Sequence, residues 1–386
     1  MKWEKVNLES ISTRIGDGLH GTPKYDDSGE FYFINGNNLS EGNILIKEDT
    51  KRISSIEYDK IKKDLSEKTV LVAINGTLGN VGLYRDEPVA LGKSACYINV
   101  NDKAEKLFIR YVLENHDFQR YARDFATGST IKNLGLKAVR DYSFNLPPLP
   151  TQRKIASILS AYDDLIENNL KRIKLLEEAI NLNFKDLISK EDKNFTYIKL
   201  NSFVDIISGF PFKSNYYNEN GKHKIVTIKN VQDGFFVPIV TDRIDDVPDN
   251  MNKALFLTTG DVIMSLTGNV GRVCLVYGDD YVLNQRVVKL SAKEQIDQPF
   301  IYALVRDKQM LKILENLSNG AAQQNLSPIK MGELPIRYPN KSLREDFNQK
   351  VSPMLEMICK LNIQNTKLRE ARDILLPKLM NGQIEV

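Results

Sequence analysis

Two short motifs in this sequence carry residues that bind phosphate or nucleotides, and each lacks a part that its chemistry needs. Gly92-Lys93-Ser94 has the end of a phosphate-binding loop, but position 87, where the first glycine belongs, is Glu87. Gly16-Asp17-Gly18-Leu19-His20-Gly21 has the spacing of a dinucleotide-binding loop, without a strong strand before it or a clear helix after it. An ordinary surface loop is the better interpretation of both.

Two further patterns contain residues that suit chemistry on DNA. Asn145-Leu146-Pro147-Pro148 differs in order from the Asn-Pro-Pro-aromatic loop that grips a flipped base, and it lacks the aromatic residue. Asp186, Glu191 and Lys193 have the residue types of a metal-dependent nuclease site, but they fall where a long helical pattern ends. The three histidines are too scattered to argue a Ser/His/Asp site. We therefore predict no catalytic residue, no metal site and no cofactor.

The composition, with 42% hydrophobic and 27% charged residues, is that of a globular protein, and 386 residues suit two or three domains. A formal net charge of +3 excludes a polycation that coats nucleic acid or membranes, so any DNA-binding face must be local. Cys96, Cys274 and Cys359 lie too far apart for a close-spaced zinc motif or a disulfide framework. We find neither a signal peptide nor a run near the roughly 18 apolar residues of a membrane helix, and we predict a cytoplasmic protein.

The second half of the chain repeats the first at an offset close to 192 residues. Asn38 corresponds to Asn230, and the helical pattern from Phe108 to Phe125 recurs from Phe300 to Leu317. The string Gly79-Asn80-Val81-Gly82 recurs 189 residues later, and we interpret its asparagine and glycines as turn formers after a strand. Such self-similarity indicates a tandem repeat of one structural unit.

Each repeat is predicted to be an α/β (α+β) unit with an irregular, mostly β core. Short strands are expected at residues 70–74, 95–100, 225–228 and 282–289.

A long helical pattern with the period of a coiled coil follows each globular pattern, after a cluster of prolines. Two amphipathic helices of matched length in one chain bury their apolar stripes if they pair with each other. Asn169 and Asn365 interrupt the stripes, either as a buried amide pair that fixes the register or as amides tolerated at a wet seam. The predicted seam comprises Leu159, Ile166, Ile173, Ile180, Val351, Ile358, Leu361 and Leu368.

The chain therefore divides into four predicted segments. They are a globular unit at 1–150, a helical spacer at 151–190, a second globular unit at 191–341 and a second helical spacer at 342–386. Two like units on a rigid spacer suggest a device that measures distance. Two such units face the same side of a DNA duplex only when they lie about one helical turn, or a multiple of it, apart.

Four stretches, at 149–156, 260–271, 320–335 and 375–382, carry a family resemblance. Through them, and over essentially its whole length, the chain resembles the specificity subunits of type I restriction-modification enzymes. The chain departs from the family pattern at Thr151, at Leu343-Arg344-Glu345, and at Gly128–Lys132, which lacks the usual glutamine.

The resemblance implies two target-recognition domains, each reading one half of a bipartite, asymmetric DNA sequence. It also implies that the helical regions pack as an antiparallel coiled coil that sets the spacing between the halves. Two methyltransferase subunits, which modify adenine, would dock on these helices, and restriction subunits that translocate DNA would join them. This chain would itself be non-catalytic.

Sequence readout needs amides and guanidinium groups at base edges, with lysine and arginine on phosphates. Loops that differ between the two halves suit this role, because the two half-sites differ. In the first unit the candidate DNA-binding residues are Lys24, Asn75, Thr77, Lys93, Ser129, Thr130 and Lys132. In the second unit they are Lys213, Tyr216, Lys229, Thr267, Gln285, Arg286, Gln323 and Gln324.

Two other functions compete with DNA recognition by a specificity subunit. A coiled-coil adaptor whose two modules bind proteins or glycans has the same architecture, but it predicts no salt-dependent binding to duplex DNA. A single-chain restriction and methylation enzyme needs methyltransferase and nuclease domains, for which 386 residues leave no room.

Overall fold

The computed structural model describes residues 3–128, 132–318 and 325–386. The chain forms two compact units, Met1–Asp164 with Leu368–Val386 and Leu165–Lys367, so each unit takes in part of both long helices. The helices are α1 Ser55–Ile61, α2 Lys106–Glu114, α3 His116–Phe125, α4 Leu136–Asp141, α5 Leu149–Ile188, α6 Gln298–Arg306, α7 Lys308–Ser318, α8 Pro328–Gly332 and α9 Lys341–Met380.

The first unit is built on an antiparallel sheet of order β2-β10-β7-β8, beside a sheet of order β6-β3-β9 in which β3 and β9 are parallel. Two further pairs are β1 with β11 and β4 with β5. These strands are β1 Glu4–Asn7, β2 Ser12–Asp17, β3 Phe31–Ile34, β4 Leu39–Ser40, β5 Asn43–Ile44, β6 Arg52–Ile53, β7 Thr69–Ala73, β8 Val81–Leu83, β9 Val89–Leu91, β10 Ala95–Val100 and β11 Ser143–Leu146.

The second unit repeats the main sheet and the β1–β11 strand pair of the first unit, whereas its second sheet has four strands instead of three. Its main sheet has the order β13-β20-β17-β18, its second sheet the order β15-β14-β19-β16, and β12 pairs with β21. The strands are β12 Phe195–Lys199, β13 Val204–Ser208, β14 His223–Val226, β15 Arg243–Ile244, β16 Phe256–Leu257, β17 Val262–Ser265, β18 Val273–Leu275, β19 Tyr281–Leu283, β20 Val287–Ala292 and β21 Pro335–Pro339. The predicted tandem repeat of a mixed helix and sheet unit is confirmed.

The apolar runs of the sequence form the central strands. Every residue of β7 and β17 is buried, as expected of strands that are covered on both faces. In the first unit the core includes Phe108 of α2, Leu159 of α5 and Leu379 of α9. The long helices therefore contribute to the core of the globular unit as well as to their own pairing.

The structure corrects three local predictions. The strand expected at 282–289 is two strands, β19 and β20, separated by an exposed turn at Gln285 and Arg286. The helical pattern 108–125 is two helices, because Asn115 has extended backbone angles between them. Gly82 lies inside β8, and its backbone is not left-handed. Two pairs of left-handed glycines do match at the offset of 192 residues, Gly76 with Gly268 and Gly79 with Gly271.

Helices α5 and α9 run antiparallel and pair within each unit, as predicted. In the second unit, Asn169 packs against Asn365, and Phe184 packs against Phe347 with ring centroids 6.4 Å apart. Six of the predicted seam residues are buried, and Ile173 and Leu368 are half-buried. The buried six are Leu159, Ile166, Ile180, Val351, Ile358 and Leu361.

The two seam asparagines form a direct amide pair. Asn169 Nδ2 donates to Asn365 Oδ1 at 2.9 Å, and both side chains are buried. This geometry favours the buried amide pair over the wet seam among the two interpretations that the sequence left open. A buried amide pair stabilises one register, because a shifted helix would leave amides without partners in an apolar seam.

Candidate nucleic-acid interface

Three loops of the first unit meet at Ile74, directly after β7. The Ile74 backbone N–H donates to the Ser94 carbonyl at 2.9 Å, and the Leu134 N–H donates to the Ile74 carbonyl at 2.9 Å. The β7–β8 loop, the turn between β9 and β10, and the segment before α4 are thereby held together. This junction brings together the loops that carry Asn75 and Lys93.

A groove of about 880 Å³ lies over this junction. It contains Asn75, Thr77 and Lys93, three of the residues predicted to contact DNA. The polar residues that line it and that the sequence did not single out for this role are Asp17, His20, Asn35, Asn37, Ser94 and Asn133. Asp17 and His20 belong to the motif that has the spacing of a dinucleotide-binding loop. That motif was the feature of the sequence that could have identified them as groove residues.

Glycine at position 18 lets the chain after β2 pass close to the turn that follows β9. A Cβ atom at Gly18 would lie 2.1 Å from the Leu91 carbonyl oxygen, and one at Gly209 would lie 2.1 Å from that of Asn284. The same close approach therefore occurs in both units. It explains the glycine of the loop motif by packing rather than by nucleotide binding.

The second unit has the same three-loop junction with different polar residues. The Leu266 N–H donates to the Arg286 carbonyl at 3.0 Å, and the Leu326 N–H donates to the Leu266 carbonyl at 2.9 Å. Thr267, Gln285 and Arg286 stand here where the first unit has Asn75, Lys93 and Ser94. Among the described residues, the buried Thr267 hydroxyl has no hydrogen-bond partner.

The second unit has a groove of about 700 Å³, and its lining includes Lys213, Tyr216 and Phe210. The Gln285 N–H donates to the Phe210 carbonyl at 3.1 Å, so this groove adjoins the turn that carries Gln285 and Arg286. Tyr216 is 65% exposed and presents its ring to solvent. Four predicted DNA-binding residues of this unit thus lie at the β19–β20 turn or in the groove that adjoins it. They are Lys213, Tyr216, Gln285 and Arg286.

The remaining predicted residues are placed as follows. Lys229 is exposed, 192 residues after the groove residue Asn37. Lys24 and Lys132 are exposed but do not line the 880 Å³ groove. Ser129, Thr130, Gln323 and Gln324 lie outside the described residues.

The six predicted cations are available to bind phosphate. Each is exposed, and within the described ranges none forms an ion pair with a carboxylate. Buried arginines such as Arg110 and Arg344 are, in contrast, paired with acids. The six are Lys24, Lys93, Lys132, Lys213, Lys229 and Arg286.

The three thiols are unsuited to nucleophilic chemistry. Burial raises the pKa of Cys359 to about 11, and burial also raises the pKa values of Cys96 and Cys274 above the ordinary range. Each thiol therefore stays protonated at neutral pH. In the described part of the chain, no group of acidic, histidine and cysteine side chains has the arrangement of a metal site. Nor does any helix there have an apolar stretch long enough to span a bilayer.

A family model and two relatives describe what this chain is similar to. The family model for the type I restriction modification DNA specificity domain matches residues 1–178 and 192–370. The MjaIX specificity subunit of a type I restriction enzyme from Methanocaldococcus jannaschii is 24% identical over 344 residues, which cover 82% of this chain and 78% of that protein. The MjaVIII specificity subunit of the same organism is 26% identical over 353 residues, covering 83% and 80%.

A solved structure shows the same fold. The S subunit of a type I restriction-modification system from M. genitalium superposes with a TM-score of 0.61 at 19% sequence identity. The match covers 98% of this chain and 96% of that chain. Both globular units and both long helices are therefore part of the shared architecture.

Proposed function

This chain belongs to the type I restriction-modification DNA specificity family, and we propose that it directs such an enzyme to a bipartite, asymmetric DNA target. The observation that carries the proposal is the pair of equivalent three-loop junctions with different polar side chains. Asn75 and Lys93 of the first unit occupy the positions that Thr267 and Gln285 occupy in the second unit. Equivalent frames with different donors and acceptors read different base sequences.

The paired helices α5 and α9 set the distance between the two half-sites. Each helix spans 40 residues, about 60 Å at roughly 1.5 Å per residue. The Asn169–Asn365 amide pair supports a single register of the two helices. The bases between the half-sites are then left unread.

The proposed partners are double-stranded DNA, two copies of an adenine methyltransferase subunit, and restriction subunits that translocate DNA. This chain supplies recognition and scaffolding, and it catalyses no step itself. We place the assembly in the cytoplasm, where it meets chromosomal and incoming DNA. The four segments 1–150, 151–190, 191–341 and 342–386 are the recognition and spacer parts of this proposal.

The test is coexpression of this chain with its methyltransferase subunit, followed by mapping of adenine methylation across the host DNA. We expect a bipartite asymmetric motif with a fixed gap. Arg286→Ala should relax one or more positions of one half-site only, because a good bidentate contact to a base contributes about 1–3 kcal/mol of discrimination.

Lys312→Ala, a change of an exposed cation on α7, is the matched control and should leave the motif unchanged. If Arg286→Ala relaxed the base preference equally in both half-sites, the proposal that each unit reads one half-site would be contradicted. A chain that bound duplex DNA without salt dependence, or not at all, would instead favour the adaptor function.

The methyltransferase subunits are proposed to dock on the outer faces of the long helices. Leu175 and Leu182 of α5 are 63% and 65% exposed and lie seven residues apart, which places them on one face. Large apolar side chains exposed on one helix face are typical of a protein interface.

Changing both Leu175 and Leu182 to aspartate should lower the number of copurified methyltransferase subunits from two to one per chain while leaving the chain folded. The reason is that the two leucines, exposed in this chain and buried in the proposed complex, would be replaced by charges without partners. Copurification and circular dichroism measure the two effects. Lys174→Asp, a change at an exposed residue about 100° around the helix from Leu175, is the control. Full retention of the complex by the double variant would place the docking surface elsewhere.

A further inference from the structure

We infer that Asp17 reads a base that presents an amino group in the major groove, cytosine or adenine, in the half-site bound by the first unit. The inference rests on the proposed function and concerns the same groove. Asp17 ends β2 and is the one carboxylate among the residues that line the 880 Å³ groove. It lies there with the cation Lys93 and with four asparagines.

Among the described residues, the Asp17 carboxylate has one hydrogen-bonding contact, which involves only one of its two oxygens. His20 Nε2 lies 2.6 Å from Asp17 Oδ2, and no described residue forms a hydrogen bond with Asp17 Oδ1. The Asp17 side chain is 19% exposed, whereas the His20 ring is 69% exposed. Asp17 therefore offers an acceptor, Oδ1, at the groove.

A carboxylate in a DNA-binding groove discriminates by repulsion as well as by attraction. DNA phosphates repel it, and so do the O6 of guanine and the O4 of thymine, which are acceptors. The amino groups of cytosine N4 and adenine N6 are the base-edge donors of the major groove, and a carboxylate accepts from them. Asp17 is therefore suited to one strand position that carries cytosine or adenine and to the rejection of guanine and thymine there.

The second unit has no carboxylate at the position equivalent to Asp17. The strand register pairs Cys96 with Asp17 in the first unit and Val288 with Ser208 in the second, so Ser208 stands where Asp17 stands. A serine hydroxyl both donates and accepts, and it therefore tolerates amino and keto bases alike. The two recognition units consequently differ in how strictly they read this position as well as in their preferred bases.

The test is a selection of bound sequences from a randomised duplex pool, with this chain in complex with its methyltransferase subunits. For the unaltered chain we expect one strand position of one half-site to be restricted to cytosine or adenine. Asp17→Asn should admit guanine and thymine at that position, because an amide also donates, with a loss of about 5- to 150-fold in discrimination. Binding to unrelated duplex DNA should rise, because a negative charge is removed.

Asp17→Ser places the residue of the second unit in the first and should leave the same position unread. Asp59→Asn removes the same charge from an exposed site on α1, outside the groove, and should leave the motif unchanged. An unchanged motif in both folded Asp17 variants, or a change in the other half-site, would overturn this inference and leave the proposed function standing. If the unaltered complex selected no motif, the proposed function would fail and this inference with it.

Discussion

Asp163→Ala is expected to lower the free energy of unfolding of the first unit by about 3–5 kcal/mol, because it breaks a buried network of charges. Asp163 lies on α5, with Oδ2 2.8 Å from Arg110 Nη2 and Oδ1 2.6 Å from Arg372 Nη1 of α9. It also accepts a hydrogen bond from the Tyr111 hydroxyl at 2.6 Å. The one carboxylate thus connects both long helices to α2 of the globular part.

Without Asp163 each arginine keeps one other carboxylate, Glu114 for Arg110 and the exposed Asp373 for Arg372, so each loses half of its acidic partners. Arg110 is 4% exposed and Arg372 is 14% exposed at the side chain. Burial lowers the pKa of Arg372, but its hydrogen bond to Asp163 and the nearby carboxylates raise that pKa overall. The guanidinium groups remain charged at any pH at which the protein folds. Without Asp163 they would be buried with too little compensating charge.

Urea unfolding followed by tryptophan fluorescence measures this effect, since the single tryptophan, Trp3, packs against the core of the first unit. Asp164→Ala changes the next residue of α5, which is exposed, and should alter the free energy of unfolding by less than about 0.5 kcal/mol. A change below about 1 kcal/mol for Asp163→Ala would show that this network contributes little to stability.

The architecture was predictable from the sequence because it repeats. A period of seven placed Leu159 and Ile358 in the helix seam, and the 192-residue offset indicated two similar units. The turn at Gln285 and Arg286 was missed as a turn, since valines and leucines on both sides form one continuous β-rich pattern. Propensity alone does not locate a sharp break in such a run.

The composition of the groove was only partly predictable, because it depends on strand register and loop contacts. Nothing local connects Asp17 with Asn75, which meet only after β2, β10 and β7 pair side by side. The role of Asp163 was hidden for a similar reason. In sequence it is one more acid on the flank of a helix, and its two arginine partners lie 53 residues before it and 209 residues after it.

A chain that ends at residue 190 is expected to dimerise and, with its methyltransferase subunit, to read a symmetric bipartite target. Without residues 191–386 the first unit loses the α9 residues Leu376, Leu379 and Met380 from its core. At an offset of 192 residues, α5 carries Phe184, Leu187 and Ile188. These residues pack in the equivalent way against the second unit.

The end of α5 from one copy therefore has the apolar side chains needed to replace α9 in a second copy. A reciprocal exchange gives a dimer with twofold symmetry, in which the same recognition unit occurs twice. Position 180, which corresponds to Arg372, is Ile180, so Asp163 loses one partner and the exchange should be weaker than the intramolecular pairing. Dimerisation should accordingly depend on concentration.

Light scattering should give twice the mass of the 190-residue chain, and methylation mapping should give two identical half-sites in inverted orientation. Leu187→Asp in the same fragment is the matched variant and should return it to a monomer, because a charge would enter the exchanged core. The full chain with an unaltered sequence should stay monomeric and retain its asymmetric target. A monomeric fragment that still read the asymmetric target would contradict the role of helix pairing in holding two recognition units, since one unit would then suffice for both half-sites.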